Sequence, residues 1–169
     1  MGRDKRNETG KEHFTKMVRS TMETPAWRAL SPVAQALYPW LKLEWRGPQN
    51  NNNGKIRLSV RQAADLLGIN MKTAARGFHD LQAKGFLSVT EPARLGVGGD
   101  AKSPGFEITE IELPQAEKNG GRKLYKEWRE GGDYLVHKAA MHNPRGTNGK
   151  TKPRPQNGNS TVVKFGTSQ

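Results

Sequence analysis

Residues 58–86 run LSVRQAADLLGINMKTAARGFHDLQAKGF, and the fold follows from how this stretch divides. Ser59 is a hydroxyl N-cap that opens one helix, whose buried side is Ala63, Ala64, Leu66 and Leu67. Gly68 stops it, because glycine takes the left-handed conformation that ends many helices without a Cβ penalty. Asn70 caps a second helix in which Ala74, Phe78 and Leu81 recur at i, i+4 and i+7. Lys84-Gly85 closes that helix with a cation in the last turn and a glycine behind it. Ala64 is the small residue that two closely crossing helices need, Gly68 is the turn glycine, and Ile69 supplies the apolar residue after it.

The neighbours of this pair complete the pattern. After Gly85, Phe86-Leu87-Ser88-Val89-Thr90 has strand composition, as does Phe106-Glu107-Ile108-Thr109, and glycine-rich residues 91–105 join them as a hairpin with a long tip. Upstream, Thr24-Pro25 starts a short helix through Ala26, Trp27, Ala29 and Leu30. Ser31-Pro32 starts a longer one over 32–45, with Ala34, Leu37, Leu41 and Trp45 on one face and a kink expected at Pro39. Residues 49–54, with four consecutive asparagines, read as a turn, and Lys55-Ile56-Arg57-Leu58 as a short strand. Two helices joined by a short glycine-containing turn and followed by a two-stranded hairpin predict a winged helix-turn-helix, an α+β fold with a small antiparallel sheet.

The same residues carry a resemblance. The run from Leu58 to Ala64, Gly68-Ile69-Asn70, Thr73 to Arg76 and Leu81 to Phe86 resembles winged helix-turn-helix proteins of bacteria. The similarity is greatest to small proteins of alphaproteobacterial chromosomes, plasmids and prophages, in which an Asn-Asn-Gly turn precedes the first strand, as Asn52-Asn53-Gly54 does here. It spans about residues 24–112 and implies DNA binding, in a scaffold shared by transcription regulators and the DNA-binding domains of plasmid and phage replication initiators. Gly77 departs from the pattern, standing where many such helices carry a branched apolar residue. It either loosens the helix or permits a close backbone approach.

In that fold the second helix enters the major groove and presents its N-terminal residues to base edges. With Ala74, Phe78 and Leu81 turned inward, Asn70, Lys72, Thr73, Arg76 and His79 face outward. Arg76 is the candidate for direct readout, since a guanidinium bonds two acceptors of guanine at once. Lys72, Thr73 and Asn70 can reach bases or phosphates. Arg61, near the start of the preceding helix, is placed for backbone phosphate, and Arg94 and Lys102 on the hairpin tip for the adjacent minor groove or phosphates.

Composition bounds the rest. The chain has 169 residues, 28 Lys+Arg against 16 Asp+Glu and no cysteine, for a formal charge of +12. Val, Ile, Leu and Phe number 21 within residues 26–112 and 9 in the other 82 positions, so only the middle holds enough apolar material for a core. The charge excess is +2 over 1–25, +3 over 26–112 and +7 over 113–169, a sign that favours polyanions. No apolar run approaches a membrane span and residues 1–20 lack a secretory pattern; with zero cysteines the expected location is the cytoplasm, on the nucleoid.

Catalytic readings fail on context. His13, His79, His137 and His142 are scattered and lack cysteine or clustered carboxylates, so no metal site is expected. Gly96-Val97-Gly98-Gly99 joins two strands, whereas a phosphate loop must lead into a helix. Glu107, Glu110 and Glu112 read as a solvated strand edge. The chain is expected to be non-enzymatic and to need no cofactor.

The expected organisation is a polar arm over 1–23 with some helix, a DNA-binding domain over 24–113 and a basic flexible tail over 114–169. The tail either adds nonspecific affinity for DNA or, through Tyr125, Trp128 and Tyr134 in 123–136, docks on polymerase or a replication protein. A homodimer is compatible with exposure among Trp27, Trp40 and Trp45. Transcription regulation is the leading expectation, replication initiation or maintenance the alternative, and a protein-interaction module without specific DNA binding the third.

Overall fold

A computed structural model describes residues 13–94, 102–116 and 120–138. The protein is α+β, and its described residues form five helices and a two-stranded antiparallel sheet. The helices are α1 (Arg19–Met22), α2 (Pro25–Arg28), α3 (Pro32–Leu43), α4 (Val60–Leu67) and α5 (Met71–Ala83). Strands β1 (Leu87–Glu91) and β2 (Gly105–Ile108) follow, then a single 3-10 turn at Leu124–Lys126.

Local chemistry accounts for the helix starts. Thr24, Ser31, Ser59 and Asn70 each accept a hydrogen bond from a backbone N–H three residues on, and proline occupies the first position of α2 and α3. At Ser59 the cap is reciprocal, because the Gln62 side chain accepts from the Ser59 N–H. Gly68 ends α4 at φ +64°, in the left-handed region. Pro39 lies inside α3, which continues past it to Leu43.

The core lies where α3, α4 and α5 meet the sheet. Leu37, Leu41, Ala63, Ala64, Ala74, Phe78, Leu81, Phe86, Phe106 and Ile108 are all buried there. Gly77 explains itself at this crossing. A Cβ on it would stand 3.1 Å from Val33 Cγ1 and 3.4 Å from Leu37 Cδ2, so the missing side chain lets α5 lie close against α3. Trp27, Tyr38, Phe86 and Tyr125 form an aromatic group, with Trp27, Tyr38 and Phe86 mutually edge-on and Tyr125 stacked on Phe86 at 4.7 Å between centroids.

Strand β1 pairs with β2 in the register Leu87↔Ile108, Ser88↔Glu107 and Val89↔Phe106, with an irregularity between Val89 and Glu91. The strand expected at 55–58 contracts to a single bridge, Ile56 with Phe106, in which both N–H groups donate across. Ser59 begins α4 three residues later, which leaves no length for a longer ladder.

The asparagine turn is pinned by its own side chains. Asn51 Oδ1 accepts from Trp45 Nε1, and Asn52 bonds the Glu44 carbonyl and Arg46 N–H at the end of α3. Asn53 is buried, accepts from the Ile108 N–H and donates to the carbonyls of Ile108 and Ile111.

The largest departure from the expected organisation concerns what lies on either side of 24–113. Thr21 is buried, as are Tyr125 and Trp128, so the packed unit takes in α1 and the segment 120–138. Of the aromatics read as a docking segment for polymerase or a replication protein, Tyr125 and Trp128 are core side chains of this chain and Tyr134 packs half-buried against them, because Phe86 and the end of α5 leave an apolar surface that they cover. Trp27 is buried too, which removes it from any dimer surface; Trp45 is partly buried, and Trp40 is 36% exposed. Glu107 and Glu110 are not a solvated edge. Glu107 is buried in a two-pronged pair with Arg122, and the half-buried Glu110 pairs with Lys42. Residues 1–12, Gly96 to Gly99, His142 and the basic tail beyond 138 lie outside the described residues.

Among the described residues no helix is long and apolar enough to cross a membrane.

Candidate nucleic-acid interface

Helix α5 positions most of the residues singled out from the sequence. Its inward side is Ala74, Gly77, Phe78 and Leu81, all buried. That face is held by α3 and α4, so the opposite side is left to solvent: Asn70, Lys72 and Arg76 are exposed, Thr73 and His79 half-buried. Among the described residues neither Lys72 nor Arg76 makes an ion pair, which leaves both cations available at the N-terminal half of the helix.

Asn70 and Thr73 have prior engagements. Asn70 Oδ1 accepts from the Thr73 N–H at 2.8 Å and from the Thr73 hydroxyl at 3.0 Å, so these side chains cap the helix. His79 sits lower on the helix, and its imidazole is held below the usual histidine range, first by burial and then by the Lys138 charge beside it. It is therefore mainly neutral at pH 7.

The other candidates are spread around this helix. Arg61 is exposed in the first turn of α4. Arg94 and Lys102 face each other across the hairpin, each N–H donating to the other's carbonyl at 3.0 and 2.9 Å, and both side chains are exposed. Lys102 is not free: its Nζ lies 3.1 Å from Glu91, which also pairs with Arg57. Those two cations outweigh the opposing effect of burial and hold the Glu91 carboxyl below the usual carboxylate range, with the Lys102 hydrogen bond the chief cause.

Two residues near this face escaped the sequence reading. Arg57 anchors the base of the hairpin through Glu91 and the Ser103 carbonyl. Lys138 lies next to His79 although 59 residues separate them in sequence, a proximity created by the path of the segment 120–138. Periodicity along α5 could find neither.

Comparison with protein-family models, with curated proteins and with solved structures finds no match to this chain.

Proposed function

We propose that the protein is a sequence-specific double-stranded DNA-binding protein of the winged helix-turn-helix class that acts as a transcription regulator. The observation that carries this reading is α5 itself. Its inner face is locked into the core, while Lys72 and Arg76 stand exposed on the outer face at its N-terminal half and make no ion pair among the described residues. A helix held this way can enter the major groove without rearrangement, and an arginine there can bond the two acceptors of guanine. The three residues Gly68 to Asn70 between α4 and α5, and the hairpin bearing Arg94 and Lys102, supply the other parts such a domain needs. Arg61 and the hairpin cations act on phosphates and fix register.

Binding of the full chain to duplexes selected from genomic fragments tests this. The double substitution Lys72→Ala with Arg76→Ala is expected to abolish preference for the selected duplex, each base contact being worth about 1–3 kcal/mol. Specific binding that survives the double change at moderate salt would refute the assignment of α5. Promoter fragments among those selected support regulation; replication origins in their place would overturn it.

A further inference from the structure

A cavity of about 310 Å³ lies between residues 15–21, the end of α3, residues 110–111 and the 3-10 turn with Lys123 before it. That volume is at the lower end of the range for small-molecule sites. None of the residues assigned to DNA borders it.

The buried part of its wall is polar and held by hydrogen bonds. Thr21, Lys42 and Tyr125 line the cavity and are 3%, 7% and 1% exposed. Glu110, held ionised by its donors, can only accept, and Thr21 gives it the single proton of its hydroxyl. Tyr125 O–H therefore donates to Thr21. Lys42 donates to Glu110 at 2.7 Å and to the Lys16 carbonyl at 2.6 Å, and the third N–H of its ammonium has no partner among the described residues. The one carboxylate on the cavity is thus fully engaged within the wall.

The charge that remains is positive. Lys16, Lys123 and Lys126 also border the cavity, and among the described residues none of them makes an ion pair. Lys123 is moreover the one non-glycine residue among those described with φ in the left-handed region, at +50°. That conformation is strained for a residue with a Cβ and persists only where the surroundings enforce it. Here the Lys123 N–H donates to the Thr109 carbonyl at 2.7 Å, and the preceding Gly121 passes so close to the backbone of Thr109 and Glu110 that a side chain would collide with it. Strain is accepted at the point where a third lysine joins the cavity.

We propose that this cavity binds a small phosphomonoester, its phosphate among Lys16, Lys123, Lys126 and the remaining N–H of Lys42, and its carbon skeleton against Val18, Trp45 and Ile111. A phosphomonoester carries a charge of about −1.5 to −2 at neutral pH, which suits several ammonium groups converging as point charges. A planar carboxylate brings a single charge and is matched by a guanidinium fork, and no arginine lines the cavity. The inference is independent of the assignment of α5 to DNA. An occupant would bridge residues far apart in the chain and so stabilise the fold by mass action.

NMR titration of the isotope-labelled full-length protein with phenyl phosphate at constant ionic strength tests the site. Saturable shifts are expected at Trp45 Nε1–H and at the amides of Lys123 and Lys126, together with a raised melting temperature. Inorganic phosphate should move the same resonances with lower affinity, since it lacks the skeleton. Lys16→Gln with Lys126→Gln should leave the melting temperature of the unliganded protein unchanged and weaken phenyl phosphate by about tenfold or more. Absent shifts, shifts reproduced by sodium chloride, or unchanged affinity in the double variant overturn the proposal. Duplex DNA that moves these resonances where phenyl phosphate does not would assign the lysines to backbone phosphate and overturn it equally. The α5 assignment stands or falls separately, on the Lys72 and Arg76 variant.

Discussion

Glu110 accepts three side-chain hydrogen bonds inside the domain, from Thr21 at 2.6 Å, Lys42 at 2.7 Å and Tyr38 at 2.9 Å. Burial favours its neutral form, but the three donors together outweigh burial and hold its carboxyl below the usual value of 4.5. The Tyr38 phenol is pushed far up in turn, first by its own burial and then by Glu110. Because the folded-state value is the lower one, the folded state binds fewer protons than the unfolded state. The stabilisation is complete above about pH 4.5 and is lost as pH falls through the folded value. Glu110→Gln leaves the Lys42 ammonium buried without its counterion and is expected to cost about 3 kcal/mol at neutral pH. Urea unfolding from pH 6 to pH 3 should then show a shallower loss of stability in the variant than in the parent. Nothing in the local sequence marks this glutamate: strand alternation groups Glu110 with Glu112 and sets Glu107 on the other face, whereas the paired carboxylates are Glu107 and Glu110. What separates them is which other segment lies over each: Arg122 over Glu107, Lys42 and Tyr38 over Glu110.

At the scale of elements, helix boundaries were legible because they are set by residues within one turn. Thr24, Ser31, Ser59, Asn70 and Gly68 act through bonds to backbone groups three or four positions away, and the structure places each as its chemistry requires. The strand at 55–58 was not legible in full, since a ladder needs a partner of matching length and Ile56 meets only Phe106. Gly77 lies between the two cases. Its oddity was visible in the sequence, but the reason is the distance to Val33 and Leu37 across the crossing of α3 and α5. Gly77→Leu is expected to destabilise the protein by about 1–3 kcal/mol, because a well-packed crossing has no room for four added carbons. Thermal melts read this directly. A variant as stable as the parent would mean that α3 and α5 do not approach so closely.

For the molecule as a whole, the unit that packs is larger than the stretch rich in apolar residues. Tyr125 on Phe86, buried Trp128 and the Thr21 bond to Glu110 all come from segments expected to be a polar arm and a basic flexible tail. Removing them exposes Phe86 and leaves Glu110 short of a donor. A fragment of residues 24–113 is therefore expected to melt well below the full chain, since loss of one buried aromatic of this size alone costs on the order of 3 kcal/mol. Circular dichroism melts of the fragment and the full chain decide it: equal midpoints would show that the flanking segments are passive.

The sequence by itself determined the helices, the short connection between α4 and α5, and which side of α5 turns inward, because caps, turn glycine and periodicity all act within a few residues. It also located the charge: a modest excess on the apolar-rich middle and a larger one towards the C-terminus. Only the tertiary structure decided what that middle packs with and which cations share a surface. Lys138 borders the same depression as His79 and Arg76 because its segment is fastened at Glu107, Lys84 and Gln82, contacts between residues far apart in the chain. Contacts of that range leave no periodic trace, since the residues making them meet only after the chain has folded.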